Sequence, residues 1–227
     1  MKQIKIGVVY TSTTPELIQM VEEEIRKQIG ESVTLFSQQD PSILAEIREN
    51  GFVTAQPAAR LITMYMNAVR EKCDVVYNTC SSVGETADCM QTAAAYLGVP
   101  IVRIDEEMCR EAVRKGNRIG VMATLRTTLE PTMNTIRRIS RECGKSVELT
   151  ECLVEGAFGL NQEEFRQKME EYAVQIAPQT DVILFAQGSM AYCEQEIAVR
   201  TGRMVLSSPR FGAQELKRVL IKNGMLD

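Results

Sequence analysis

Short apolar runs rich in valine and isoleucine alternate along the chain with longer stretches of helical periodicity. This alternation is typical of a parallel β-sheet covered by helices, because parallel strands are buried on both faces and need crossover helices between them. We therefore predict strands at 4–11, 33–37, 74–79, 99–104, 118–123, 147–153, 181–186 and 203–207. The predicted helices are 15–29, 55–72, 84–97, 105–116, 127–143, 161–178, 190–201 and 210–223.

The second half of the chain repeats the pattern of the first half. The segment "DVVYNTCSSVGE", which begins at Asp74, aligns with "DVILFAQGSMAY", which begins at Asp181, so that Cys80 falls opposite Gln187. Two further pairs keep the same order, namely Gly7 with Gly120 and Thr11 with Thr124. General βα periodicity is the alternative explanation, but the coincident pairs favour a true repeat.

The repeat predicts an α/β fold with two pseudo-symmetric lobes. Each lobe is expected to contain a mostly parallel sheet flanked by helices, with the active site in the cleft between the lobes. The predicted first lobe comprises residues 1–105 and 208–227, and the predicted second lobe comprises residues 106–207.

Charge and cysteine content exclude several classes of function. The net charge is −4, from 26 basic and 30 acidic residues, and no basic run interleaves with aromatic residues, so nucleic acid is not a predicted partner. No apolar stretch approaches the roughly 20 residues that span a bilayer, and no membrane partner is predicted. The seven cysteines are scattered and the first apolar stretch is too short for a signal sequence, which together favour the cytoplasm.

The chain contains no histidine. This excludes Ser-His and Cys-His nucleophilic machinery as well as histidine-ligated metals, and no CxxC pair has the spacing of zinc ligands, so we predict no metal site. Any proton transfer near neutral pH has to use a carboxylate, a lysine, a tyrosine or a thiol whose pKa the fold has shifted.

Polar turns follow the predicted strands in both lobes. Ligands of open α/β sheets bind at the carboxyl ends of strands, and turns rich in hydroxyl groups and helix N-termini suit a small carboxylate. The predicted substrate-binding residues are Thr11, Ser12, Asn78, Thr79, Ser81, Ser82, Thr124, Thr127, Gly188 and Ser189. The threonines also have an alternative role as helix caps. Arg103, Arg126 and Arg210 could pair with a carboxylate, although the sequence favours a solvated surface position for each.

Cys80 is the predicted catalytic thiol. It lies where a buried strand ends and a helix capped by Ser82 begins, and a helix N-terminus favours the thiolate over the thiol. The alternative is a small buried hydrophobic residue, which the polar neighbours of Cys80 make the weaker interpretation. Four other cysteines are assigned to packing: Cys73, Cys89, Cys109 and Cys143. Cys193 is predicted to be buried, and Cys152 is kept as a secondary candidate.

Several of these motifs, in this order, resemble the aspartate/glutamate/hydantoin racemase superfamily, which includes maleate isomerase and arylmalonate decarboxylase. They are the "NTCSS" turn after "DVV", the "GVMAT" strand and the "DVILFAQGSMA" strand, and the resemblance covers essentially the whole chain. It implies a two-lobed protein that needs no cofactor, acts on a small-molecule carboxylate and forms a homodimer.

The resemblance also implies roles for individual residues. Racemases of this superfamily carry one cysteine in each lobe, and one thiolate removes the α-proton while the other thiol returns a proton from the opposite face. By motif, Cys80 matches the first cysteine, and Gln187 occupies the catalytic position of the second. The positions that match carboxylate-binding residues of the family are Asn78, Thr79, Ser81 and the turn at Thr124.

Gln187 has no accessible pKa and cannot act as the second acid, so three reactions stay open. Cys80 could work with an acid elsewhere, such as Cys152, Cys193, a carboxylate or water. It could protonate an enediolate after loss of carbon dioxide, although arylmalonate decarboxylase retains the cysteine of the other lobe. It could also form a thioether with an alkene, as maleate isomerase, the cis-trans isomerase of the superfamily, does.

We therefore predict a cofactor-independent isomerase, racemase- or epimerase-like, which acts on a small carboxylic acid through Cys80. One alternative is a one-cysteine decarboxylase or lyase. The other is a relative that binds carboxylates or senses oxidants without catalysis.

Overall fold

The structure, a computed structural model, describes residues 3–11 and 14–226. The strands of the first sheet are β1 (Lys5–Tyr10), β2 (Thr34–Gln39), β3 (Val75–Asn78) and β4 (Ile101–Arg103), in the order β2-β1-β3-β4. Those of the second sheet are β5 (Arg118–Ala123), β6 (Glu148–Leu153), β7 (Val182–Phe185) and β8 (Met204–Ser207), in the order β6-β5-β7-β8. Every pairing is parallel, and the two sheets have the same topology.

Helices connect the strands. They are α1 (Pro15–Ile29), α2 (Pro41–Asn50), α3 (Ala55–Arg70), α4 (Gly84–Cys89), α5 (Gln91–Leu97), α6 (Glu106–Lys115), α7 (Arg126–Glu142), α8 (Gln162–Ile176), α9 (Glu194–Thr201) and α10 (Ser208–Lys222). Short 3-10 helices lie at Ser81–Val83, Ala177–Gln179 and Gly188–Cys193. In the described part of the chain, no helix is both long enough and apolar enough to cross a bilayer.

The first sheet is buried on both faces, because side chains on β1 alternate between two apolar cores. Val8 and Tyr10 pack in the core that contains Leu17 of α1 and Leu216 of α10. Val9 packs on the other side, in the core formed by residues of α2 and α3. Burial on both faces explains the continuous apolar runs that predicted these strands.

The second sheet is covered in the same manner. Residues of β5 and β7 form an apolar core with residues of α8 and α9. Helices α6 and α7 contact β7 and β5. The predicted fold class is therefore confirmed: each lobe has a parallel sheet flanked by helices, with one strand order in both lobes.

The aspartate pair of the sequence repeat makes equivalent contacts in the two lobes. The Asp74 carboxylate accepts a hydrogen bond from Lys5 N at 2.9 Å, and Asp74 N donates to Lys5 O at 2.7 Å. The Asp181 carboxylate accepts from Arg118 N at 3.0 Å, and Asp181 N donates to Arg118 O at 2.7 Å. Each aspartate therefore fastens the start of its strand to the neighbouring strand. The chain divides into two compact units, Met1–Ile104 with Pro209–Asp227 and Asp105–Ser208.

Helix α2 is absent from the helices that the sequence periodicity predicts. Asp40 Oδ1 accepts a hydrogen bond from Ser42 N at 3.1 Å, and Gly51 ends the helix with a left-handed φ of 81°. Its buried side chains are Ile43 and Ile47. One i, i+4 pair is too short a pattern to show helical periodicity, although the capping residues signal the helix.

The predicted helix at 84–97 is in fact two helices, α4 and α5, which a 3-10 turn precedes. Ser82 lies inside this turn, whose N-cap is Cys80, and no side chain caps either the turn or α4. The predicted Ser82 cap is therefore wrong. The cause is that Gly84 N bonds to Ser81 O, which begins the helical path earlier than the sequence pattern indicates.

Candidate active site

Cys80 follows β3 directly, at the carboxyl end of the first sheet. Its backbone is extended (φ −122°, ψ 118°), and it starts the 3-10 helix Ser81–Val83. All seven cysteines lie in the described residues, and Cys80 is the one with intermediate exposure, the others being either buried or exposed. Cys80 is therefore a partly exposed residue at the carboxyl end of the first sheet.

Hydrogen-bond donors surround the Cys80 sulfur. The hydroxyl groups of Thr11 and Ser82 and the backbone N–H groups of Ser82 and Val83 all lower the pKa of the thiol. Burial of the sulfur among protein atoms has the largest effect and acts in the opposite direction. The pKa of Cys80 is therefore raised above its ordinary value. The N–H groups at the helix start thus act in the predicted direction, but desolvation outweighs them.

Thr11 provides the hydroxyl from β1, the neighbouring strand. Thr11 is fully buried, and its Oγ1 makes no hydrogen bond to a nitrogen or oxygen atom of residues 3–11 and 14–226. A buried hydroxyl without such a partner is costly, and this hydroxyl acts to lower the pKa of the Cys80 thiol. The neighbouring candidate Ser12 lies outside the described residues.

Asn78 and Thr79 are engaged within the protein. Asn78 Nδ2 donates to Cys80 O at 2.9 Å, and Tyr65 Oη donates to Asn78 Oδ1 at 3.1 Å. Thr79 Oγ1 donates to Val9 O at 2.9 Å. These side chains hold the backbone of Cys80 and of the 3-10 helix Ser81–Val83 that it starts, together called the Cys80 turn. That they contact the substrate stays a prediction. Ser81 and Ser82 are buried beside them.

Gln187 occupies the equivalent turn of the second lobe. Its backbone angles (φ −119°, ψ 130°) nearly equal those of Cys80, and it likewise starts a 3-10 helix, Gly188–Cys193. Gln187 Oε1 accepts from Thr124 N at 2.6 Å and from Thr124 Oγ1 at 3.0 Å. Because an N–H group can only donate, the Thr124 amide fixes which side-chain atom of Gln187 is the oxygen. The NH₂ group therefore faces away from Thr124 as a neutral donor.

The other predicted residues of the second lobe lie on two elements. Gly188 and Ser189 begin the 3-10 helix and are partly exposed. Thr127 lies in the first turn of α7, and its buried Oγ1 has no hydrogen-bond partner among the described residues. Thr127 does not cap α7, whose N-cap is Leu125.

The remaining cysteines divide by burial. Cys152 and Cys193 belong to the apolar core of the second lobe, and burial raises the pKa of each thiol to about 11. The predicted burial of Cys193 is confirmed, and neither thiol is suited to exchange protons near neutral pH. Cys73 and Cys109 are buried, whereas Cys89 and Cys143 are exposed, so the packing prediction is wrong for the last two. No group of three or more cysteine and carboxylate side chains in the described residues could hold a metal ion.

The three candidate arginines also differ. Arg126 and Arg210 are exposed. The Arg103 side chain is only 2% exposed, and its Nη1 lies 2.6 Å from Asp88 Oδ2. The surface interpretation is therefore wrong for Arg103, because a carboxylate from α4 compensates the buried charge.

Sequence reasoning missed two residues around the Cys80 turn. Tyr65 lies on α3 and reaches the turn through Asn78, a contact that no local pattern announces. Gly84 lies against the Arg103 guanidinium, and a Cβ atom there would lie 2.6 Å from Arg103 Cζ. A glycine in the first turn of a helix is a weak sign of such a close approach.

The fold and site define a two-lobed α/β protein with a thiol at the carboxyl end of one sheet and an amide at the equivalent place in the other. The sequence profile of the Asp/Glu/hydantoin racemase family matches residues 6–216, and the chain belongs to this family. Membership supports a racemase-type isomerase as the class of protein. Among curated proteins, no sequence matches this chain significantly.

Solved structures of racemases share the fold. A glutamate racemase from Bacillus anthracis has 16% identity and a TM-score of 0.77, over 100% of this chain and 85% of that chain. An allantoin racemase from Klebsiella pneumoniae has 14% identity and a TM-score of 0.70, over 99% of this chain and 90% of that chain. An aspartate racemase from Picrophilus torridus has 12% identity and a TM-score of 0.67, over 99% and 95%. At these identities the similarities establish the fold alone.

Proposed function

We propose that this chain is a cofactor-independent isomerase, racemase- or epimerase-like, which acts on a small carboxylic acid through Cys80. Family membership supports the isomerase class. The observation that carries the finer proposal is the set of donors from Thr11, Ser82 and Val83 around the Cys80 sulfur. Such donors stabilise a thiolate, which is a base that the reaction regenerates without a cofactor.

In the proposed reaction, the Cys80 thiolate removes a proton from the carbon next to the substrate carboxylate. The electron pair of the C–H bond moves toward the carboxylate and forms an enediolate, while the thiolate becomes a thiol. Neutral donors then stabilise the developing negative charge. Because burial raises the pKa of Cys80, the fraction of thiolate increases as the pH rises toward that pKa. The rate should therefore rise with pH above neutrality.

The role proposed for Gln187 is that of a neutral hydrogen-bond donor to the substrate. Its carbonyl oxygen is held by Thr124, and its NH₂ group has no accessible pKa. Return of the proton from the opposite face therefore needs another acid. Cys152 and Cys193 are buried in the apolar core of the second lobe, which disfavours both and leaves a carboxylate or water for this step.

A one-cysteine decarboxylase is the second candidate, and a specific observation favours it. The raised pKa of Cys80 keeps the thiol protonated near neutral pH. After a substituted malonate loses carbon dioxide, an enediolate remains, and the thiol can protonate its carbon from one face. This reaction needs a single proton donor and is compatible with the amide of Gln187.

The test is proton NMR in D₂O with a panel of acids. The panel contains both enantiomers of amino and hydroxy acids, hydantoins, maleate and substituted malonates. Wild type should exchange an α-proton, isomerise an alkene or release carbon dioxide with at least one member. Cys80→Ser should lower that rate by about 10²–10⁴-fold, the range of general acid–base catalysis.

Cys89→Ser is the matched control, because it makes the same change at an exposed cysteine on α4. It should keep the wild-type rate. The products separate the two candidates, since an isomerase converts one stereoisomer into the other and a decarboxylase gives one enantiomer. Binding shifts without turnover across the whole panel would refute both and indicate a carboxylate-binding protein.

The proposed assembly is a homodimer, as the family resemblance implies. Sedimentation velocity across a range of protein concentrations tests it. A single species near twice the mass of 25.4 kDa would support the dimer, and a species at the monomer mass would contradict it.

A further inference from the structure

Arg103 is a buried charge that the proposed reaction does not use. It ends β4, and its side chain is only 2% exposed. Removing a guanidinium from water is costly unless charged and polar partners compensate it. A buried arginine next to a candidate active site is therefore expected to have a specific task.

The contacts of Arg103 connect it to α4, the helix that follows the Cys80 turn. Its Nη1 lies 2.6 Å from Asp88 Oδ2, near the end of that helix. Its guanidinium also lies directly against Gly84, the first residue of α4, where a Cβ atom would lie 2.6 Å from Cζ and 2.9 Å from Nε. One guanidinium thus contacts the first residue of the helix and binds a side chain near its last.

Gly84 follows Val83 directly, and the backbone N–H groups of Ser82 and Val83 act to lower the pKa of the Cys80 thiol. A change in the position of Gly84 would therefore move these donors. Because a hydrogen bond weakens steeply when its angle departs from linearity, a small rotation of the turn would reduce their effect on the sulfur.

Arg103 also lies beside the other half of the turn. Asn78 of β3 is its register partner across the sheet, and Asn78 Nδ2 donates to Cys80 O. Tyr65 donates to the same Asn78 side chain. Burial, and after it the charges of Cys80 and Asp88, raise the pKa of Tyr65, whereas the charge of Arg103 acts to lower it. Tyr65 of α3 and Asp88 of α4 are thus ionisable groups near Arg103.

We propose that Arg103 is a positioning residue of the Cys80 turn: paired with Asp88 and packed against Gly84, it holds the Ser82 and Val83 N–H groups on the Cys80 sulfur. The site is that of the proposed function, and the importance of this arrangement for catalysis rests on that proposal. The geometry of the thiol itself can be tested without turnover.

The experiment measures alkylation of Cys80 by iodoacetamide as a function of pH, in the chain of 227 residues. Peptide mapping by mass spectrometry follows Cys80 separately from the exposed Cys89 and Cys143. In Arg103→Met the apparent pKa of Cys80 should rise by about one unit, which lowers its alkylation rate about tenfold at a pH below the pKa. Circular dichroism melting curves establish that each variant is folded.

Two further variants separate geometry from charge. Arg103→Lys keeps the positive charge but loses the planar group that contacts both Gly84 and Asp88. Gly84→Ala keeps Arg103 and Asp88 but displaces the guanidinium. Both should raise the apparent pKa of Cys80, by less than Arg103→Met does. They also carry the test if Arg103→Met fails to fold.

Arg60→Met is the matched control, because it makes the same change at an arginine of the same lobe. The ion pairs of Arg60 are with Asp40 and Glu46 rather than with Asp88. Its alkylation profile should equal that of wild type. A folded Arg103→Met with a wild-type profile would overturn the proposal. A shift in Arg103→Met without one in Arg103→Lys or Gly84→Ala would also overturn it, since that result assigns only a charge effect. Loss of turnover in Cys80→Ser is scored in a different assay, so the two proposals can fail separately.

Discussion

The Cys80 turn and the Gln187 turn have nearly the same backbone and opposite chemistry. Each follows the third strand of its lobe in chain order, has extended backbone angles and starts a 3-10 helix. In the first lobe, a threonine hydroxyl and helix-start N–H groups act on a thiol. In the second lobe, Thr124 donates twice to the Gln187 carbonyl. One turn therefore contains a titratable group and the other a neutral amide in a fixed orientation.

The two lobes therefore share the placement of hydrogen-bond donors, but the side chain that accepts from them differs. Thr11 and Thr124 occupy equivalent positions after the first strands of the two sheets. A donor beside a sulfur stabilises a thiolate, whereas a donor beside an amide carbonyl orients the NH₂ group. The exchange of cysteine for glutamine at this position replaces a titratable thiol with a neutral amide.

The largest effect on stability is expected from the two strand glycines of the repeat. A Cβ atom at Gly7 would lie 2.5 Å from Ala68 Cβ, and one at Gly120 would lie 2.8 Å from Ile176 Cδ1 and Thr180 Cγ2. Ala68 Cβ moves only with the backbone of α3, whereas Ile176 Cδ1 is the end of a flexible side chain. Gly7→Ala should therefore cost about 3 kcal/mol and Gly120→Ala about 1 kcal/mol, as overpacking does in other cores.

Urea denaturation of both variants measures these costs. Gln19→Ala, at an exposed position, is the control and should leave the free energy of unfolding unchanged. Gly202→Ala is not a suitable control, because Gly202 has a left-handed φ of 63°. Equal losses in the two glycine variants would contradict the difference inferred between the lobes.

An intermediate effect is expected at the two turn residues. Gln187→Ala removes the acceptor of Thr124 N, and a buried N–H group without a partner costs about 1–3 kcal/mol. Cys80→Ala removes no strong acceptor and should cost less than about 1 kcal/mol. Differential scanning calorimetry of the two variants, with Gln187→Glu as the control that keeps an oxygen for Thr124, measures the comparison. A larger loss in Cys80→Ala would show that the thiol has a structural role.

The smallest effect on stability is expected at Asp181, and it depends on pH. Hydrogen bonds from Arg118 and Asn117 lower the pKa of Asp181 to about 2. Because this folded-state value lies below the unfolded value of about 3.9, the contribution of Asp181 is present above pH 4 and is lost as the pH falls toward 2. Asp181→Asn should remove this part of the pH dependence. Urea unfolding between pH 2 and 5 measures it, and Arg118→Met should weaken the same dependence.

The fold was predictable because its signals are local. Runs of valine and isoleucine between helical stretches predict all eight strands of the described chain, within a few residues. The pair of Asp74 and Asp181 also follows from the repeat, and both side chains make the same contact at the start of their strands. Helix α2 was not predicted from periodicity, because only two of its side chains are buried.

The candidate site was predictable only in part. The position of Cys80 after a strand and the equivalence of Gln187 follow from aligned motifs. The engagement of Asn78 and Thr79 within the protein does not, because their partners Tyr65 and Val9 come from other elements. The burial of Arg103 is invisible for the same reason, since its charge is compensated by a residue of another element.

The sequence by itself determined the order of strands and helices, the repeat and the position of Cys80 directly after a buried strand. These properties depend on periodicity and on residues that are neighbours in the chain. Tertiary structure alone decided the ionisation of Cys80 and the orientation of Gln187. Both depend on the balance between desolvation and donors from distant segments, and that balance exists only once the chain has folded.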